Sequence, residues 1–94
     1  MKLLSIETCN SGFINGYIEL EGKYAAFSIE KGSAASIRAR FSKSNYRSYA
    51  HFAGVIGKFD PYAFLLKEPI SIAALDFDRL TDLYNATPAF RRFE

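Results

Sequence analysis

The first half of the chain alternates apolar and polar positions with period two, and the second half does not. In Lys2–Thr8 the alternation places Leu4 and Ile6 on one face. After the turn-forming run Asn10-Ser11-Gly12, Phe13–Leu20 carries Ile14, Ile18 and Leu20 on one side. Lys23–Glu30 does the same with Ala25, Phe27 and Ile29, and residues 34–41 with Ala35, Ile37, Ala39 and Phe41. Strand side chains alternate between faces, so such runs joined by short glycine-bearing turns predict an antiparallel meander. The loops set its register, because a slip of one residue would turn the apolar set outward. A two-residue loop at 21–22 pairs Ile18 with Ala25, and a three-residue loop at 31–33 pairs Phe27 with Ile37. The opposite face then carries Glu19 beside Tyr24 beside Arg40, and Tyr17 beside Ala26 beside Arg38, and is expected to meet solvent.

From Ser44 onward the period lengthens. Ser44 suits the N-cap of a helix whose apolar positions are Tyr49, Phe52, Ala53 and Ile56. Gly54 and Gly57 weaken it by about 1 kcal/mol each relative to Ala. Asp60-Pro61 ends it, and Pro61 is placed to begin a short helical turn reaching Leu66. Ile70–Leu75 fits a fifth strand or the start of a helix, with a short strand or extended segment preferred. Asp76 suits the N-cap of a helix carrying Leu80, Leu83 and Tyr84, and Thr87-Pro88 of a last turn over Ala89–Phe93. The expected fold is α+β in one domain, 1–94. A four- to five-stranded antiparallel sheet would carry two or three helices from the C-terminal half on one face.

Composition alters that picture in two respects. Nine Phe and six Tyr, with no Trp, are more rings than so small a core easily holds, so several Tyr are expected at the surface. Charge is also uneven. Between Lys31 and Phe59 there is no Asp or Glu, while Lys31, Arg38, Arg40, Lys43, Arg47 and Lys58 all fall inside. The net charge of +2 is thus −2 over residues 1–30, +6 over 31–59 and −2 over 60–94. Phe41, Tyr46, Tyr49, His51 and Phe52 are threaded through the basic block. A step of that size marks a surface suited to an anionic partner.

Catalytic and metal chemistry find little support. His51 is the one histidine and lies next to an apolar stripe, which fits a partly buried, hydrogen-bonded structural role. Cys9 has no activating residue at a useful spacing, so it reads as a plain thiol, and an unpaired cysteine favours a reducing compartment. One Cys and one His do not complete a zinc site. Asp76, Asp78 and Asp82 are explained as acids at a helix start. Gly54-Val55-Ile56-Gly57-Lys58 lacks the spacer and the final Ser or Thr of a phosphate loop. No cofactor and no metal are expected, and the protein is expected not to be an enzyme. The apolar run at Leu3–Ile6 is too short for a secretory core and Glu7 breaks it. The expected location is the cytoplasm, with no membrane partner.

What remains is binding. Tyr and Arg are the residues enriched at interaction hot spots. The candidate partner-binding set is Tyr17, Tyr24, Arg38, Arg40, Lys43, Tyr46, Arg47 and Tyr49. In size, α+β economy, cytoplasmic character and lack of catalytic groups, the chain resembles the small phage-encoded inhibitor proteins, anti-CRISPRs among them. That resemblance implies a viral or mobile-element protein that blocks a host nucleic-acid-handling complex. Many such inhibitors are acidic mimics of nucleic acid; the basic middle of this chain points instead to blocking a protein surface. The first expectation is therefore a protein partner from such a complex. The alternative is a small protein that binds nucleic acid directly, though weakly, through residues 38–52. Neither reading sets the oligomeric state.

Overall fold

Glu21 and Gly22 both adopt positive φ, 50° and 74°, the left-handed pair that closes a two-residue hairpin. This turn pairs β2 (Phe13–Leu20) with β3 (Lys23–Glu30) without interruption, Ile18 opposite Ala25 and Tyr17 opposite Ala26. β1 (Lys2–Cys9) flanks β2 and β4 (Ser36–Ser42) flanks β3. The two-residue β5 (Ile70–Ser71) lies beyond β1, giving the order β4-β3-β2-β1-β5 with every neighbour antiparallel. Two helices follow, α1 (Tyr49–Phe59) and α2 (Phe77–Ala86), with 3-10 turns at Lys43–Asn45 and Pro88–Arg91. The structure, a computed structural model, describes residues 1–91; the final residues of the turn expected over Ala89–Phe93 lie outside the described residues. The predicted α+β meander is the observed one.

Three interruptions of the pairing determine what each face carries. In β1 the register steps between Leu3 and Ser5 and again between Ile6 and Thr8. In β4 it steps opposite Ala26 and Phe27, where Phe27 pairs with Ile37 but Ala26 pairs with Ala39. Each step leaves one extra residue (Leu4, Glu7 and Arg38), and a bulge of this kind reverses the facing of everything beyond it. Leu4 and Ile6, expected together, therefore separate onto opposite faces. Phe41, not Arg40, stands opposite Tyr24, and Arg40 stands opposite Ala25. Gly16 marks a tight approach on β2: a Cβ there would lie 2.0 Å from the Ser5 carbonyl oxygen.

The consequence is a sheet that is apolar on both sides. On the first face Leu3, Ile6, Ile14, Ile18, Ala25, Phe27 and Ile29 pack under Leu80 and Leu83 of α2 and under Phe90. On the second, Leu4, Tyr17, Tyr24 and Ala26 pack under Phe52 and Ile56 of α1, with Ala63 and Leu65. The helices thus divide between the faces and do not share one. Tyr24 stacks on Phe52 with ring centroids 4.2 Å apart, and the Tyr46 ring meets Phe52 edge-on at 5.0 Å. The surplus of rings forms a second core.

Two local expectations change for related reasons. Ser48, not Ser44, caps α1, accepting a hydrogen bond from the His51 amide. Ser44 lies in the 3-10 turn, and Tyr46 after it is extended. No helix forms between Pro61 and Leu66. There Ala63 and Leu65 enter the second core, Leu66 enters the first, and the Leu66 amide donates to the Leu4 carbonyl at 2.8 Å. Alternate burial against two cores requires an extended chain. By contrast Asp76 caps α2 as expected, accepting from the Arg79 amide at 2.9 Å.

Phe27 is fully buried and Tyr24 only 6% exposed. Truncating either to Ala is expected to destabilise the protein by about 3–5 kcal/mol in chemical denaturation. A Tyr24→Ala cost below about 1 kcal/mol, the size expected of an exposed side chain, would show the second face to be open.

Candidate functional site

β4 is the longer of the two edge strands of the sheet, and no strand among the described residues pairs with its outer side. Its bulge at Arg38 leaves that residue on the second face beside Ala26, while Arg40 opposite Ala25 lies on the first. The edge thus displays an arginine toward each face, and both are exposed. Arg38 is anchored by its Nε–H, which donates to the Phe27 carbonyl at 3.2 Å. Beside Arg40 a pocket of about 180 Å³ is lined by Leu20, Glu21, Lys23, Ala25 and Arg40. Arg47 follows in the exposed connection before α1, not in its first turn. The Arg40, Arg47 and Lys58 side chains have no hydrogen-bond or ionic partner among the described residues.

The rest of the expected binding set is committed to the interior. Tyr17 and Tyr24 are 7% and 6% exposed, so they are corrected from surface contacts to core residues. Burial pushes the Tyr17 phenol up to about 12, with the Asp60 and Glu7 carboxylates adding to the effect. Lys43 forms an ion pair with Glu19, and its ammonium lies 5.3 Å from the centre of the Tyr24 ring. Tyr46 is half-buried against Tyr24 and Phe52. Tyr49 is half-buried too, donates its hydroxyl to the Leu66 carbonyl at 2.6 Å, and is pushed up to about 12 mainly by burial. Of the eight residues, the structure leaves Arg38, Arg40 and Arg47 exposed to a partner. His51 is half-buried, and its Nδ1 accepts the Arg47 amide, which ties that connection to the helix.

A second cluster escaped the sequence reading. Glu7, at the β1 bulge, lies within hydrogen-bonding reach of Asp60, the residue that closes the C-terminus of α1. The Tyr17 hydroxyl donates to Asp60 Oδ2 at 3.2 Å, and the Tyr62 amide donates to Oδ1 at 3.2 Å. Partial burial, together with the neighbouring Asp60, holds the Glu7 carboxyl at about 7, against a smaller lowering by Arg38. Phe59 and Tyr62 beside it are 82% and 72% exposed. No spacing signal joins Glu7 to Asp60, which come together only through a bulge and a helix end.

The remaining reactive groups do not assemble. Burial pushes the Cys9 thiol up, opposed by a hydrogen bond with Thr81. Among the described residues no three His, Cys, Asp or Glu side chains gather as a metal cluster, so Asp76, Asp78 and Asp82 form none. No helix among them is long and apolar enough to cross a membrane. Comparison with protein-family models, curated proteins and solved structures finds no match.

The Glu7 shift carries a sign. Its carboxyl is raised above the ordinary value of 4.5, so folding favours its protonated form, and that contribution is lost as pH rises through about 7. Thermal melts from pH 5 to pH 8 are expected to show a loss of stability in the wild type that Glu7→Gln flattens. Equal slopes in the two proteins would contradict the assignment.

Proposed function

We propose that this is a non-enzymatic binding protein that takes an acidic, extended segment of a protein partner along the β4 edge. The observation that carries the reading is an open edge strand bearing exposed arginines toward both faces. An edge offers a row of unpaired backbone amides and carbonyls to a further strand. Its bulge and its like charges oppose pairing between two copies of this chain, and the same charges favour an acidic strand. The pocket beside Arg40 and Lys23 suits an alternate side chain of that strand. With both faces of the sheet covered, backbone recognition falls to the edges, and β4 is the longer edge strand and the one that carries the arginines.

In biological terms, the role is that of a cytoplasmic inhibitor of a host nucleic-acid-handling complex, phage- or mobile-element-encoded and anti-CRISPR-like. Direct nucleic-acid binding is the weaker alternative. Residues 38–52 supply exposed arginines but no exposed ring, since Phe41, Tyr46 and Tyr49 are half-buried and Phe52 is fully buried. Base stacking is a large part of single-strand affinity.

Charge reversal at Arg40 and Arg47 together is expected to abolish capture of a nuclease-resistant protein partner from host extract. The melt should stay close to wild type, because exposed substitutions usually change stability by no more than about 0.5 kcal/mol. Normal capture by the double variant would move the working surface away from β4. Oligonucleotide titrations separate the classes: three arginines on phosphates would give a log affinity against log salt slope of about −2 to −3. The expected result is weak binding, with Kd above about 10 μM at physiological salt. Tight, steeply salt-dependent oligonucleotide binding would instead establish the alternative.

A further inference from the structure

Ser5 Oγ, Glu7 Oε2 and Asn15 Oδ1 are the buried side-chain oxygens without a hydrogen-bond partner among the described residues. They fall together. Ser5 pairs with Tyr17, and Glu7 is the extra residue of the bulge facing Asn15, so all three share the second face of the β1–β2 pair. Asn15 is only 9% exposed and Ser5 is fully buried. Tyr17, two residues along the same face from Asn15, donates its hydroxyl to Asp60, and Asp60 also neighbours Glu7, so this face of the β1–β2 pair meets the end of α1 at Glu7 and Tyr17. Buried polar atoms normally find partners, and a group of them left without one calls for a specific cause.

Acids outweigh bases in this corner, since Asp60 raises the Glu7 carboxyl by more than Arg38 lowers it. Two carboxylates meet there, and Asp60 stands where the last carbonyls of α1 add partial negative charge. Arg38, whose charge acts on Glu7 from nearby, donates its Nε–H to the Phe27 carbonyl. Carboxylate and amide oxygens, with no nitrogen or sulfur donor among them, are the ligand set of hard cations.

We propose that Glu7, Asn15 and Asp60 form a binding site for a hard divalent cation, of the calcium and magnesium class, at the foot of α1. The Glu7 and Asp60 carboxylates supply the charge, Asn15 supplies an amide oxygen, and Ser5 lies beneath them on the same row. Bound there, the cation ties the C-terminal end of α1 to the β1 bulge and offsets the repulsion between the two acids. Arg38 opposes it by like charge.

The test uses the full chain stripped with chelator and titrated calorimetrically with CaCl2 and with MgCl2 at constant ionic strength. The expected result is saturable one-to-one binding of at least one of the two ions, with a matching rise in melting temperature. Glu7→Gln and Asp60→Asn should each weaken it by about tenfold or more, since ligand charge sets affinity at such sites. Arg38→Gln should tighten it, a gain that a variant harmed only in folding would not show. Absence of saturable binding of both ions, equal affinity in the carboxylate variants, or weaker binding in Arg38→Gln would each overturn the proposal.

Discussion

The Tyr24 ring lies nearly parallel to that of Phe52, and the rest of the architecture depends on this contact. An aromatic pair contributes about 0.5–1.5 kcal/mol beyond the area it buries. Its larger effect here is to recruit α1 to a sheet face that would otherwise meet water. Tyr17, Phe41 and Tyr46 join the same ring cluster, which converts a one-sided meander into a sheet covered by α1 on one side and α2 on the other. A sheet so covered keeps its free backbone at its edges. On the β1 side the two-residue β5 pairs with Lys2 and Leu3, whereas β4 is a seven-residue edge strand among the described residues.

Most of the architecture was legible in the chain. The period-two runs, the Glu21-Gly22 hairpin, the pairings of Ile18 with Ala25 and of Phe27 with Ile37, and the Asp76 cap all follow from local chemistry. Facing beyond the bulges was not legible. Leu4, Glu7 and Arg38 are ordinary strand residues, and nothing in their immediate neighbours shows that one extra residue is to be absorbed there. Once Arg38 is absorbed, Phe41 takes the position that continuous alternation assigns to Arg40. The helix expected after Pro61 failed for a similar reason: Ala63, Leu65 and Leu66 are claimed alternately by two cores, and tertiary burial outweighs a favourable helix start.

The candidate site divides along the same line. The stretch without acids between Lys31 and Phe59 located the basic surface in advance, because charge segregation is a property of the linear chain. It did not show which members were already engaged. Lys43 reaches Glu19 across the sheet, and Tyr24 and Tyr17 turn inward, contacts that depend on register. The Glu7–Asp60 pair lay beyond sequence reasoning, since strand β1 and the end of α1 meet only after α1 has packed on the sheet through Phe52 and Ile56. Both surfaces trace back to bulges, the Arg38 bulge exposing the basic edge and the Glu7 bulge building the acidic corner.

The most direct test of the covered second face is a nuclear Overhauser measurement between the ring protons of Tyr24 and Phe52, combined with relaxation by a soluble paramagnetic agent. Rings whose centroids are 4.2 Å apart should give strong cross-peaks, and both should be shielded from the agent. Weak or absent cross-peaks, with Tyr24 relaxed as strongly as the exposed Tyr62, would contradict the account and return the sheet to one covered face.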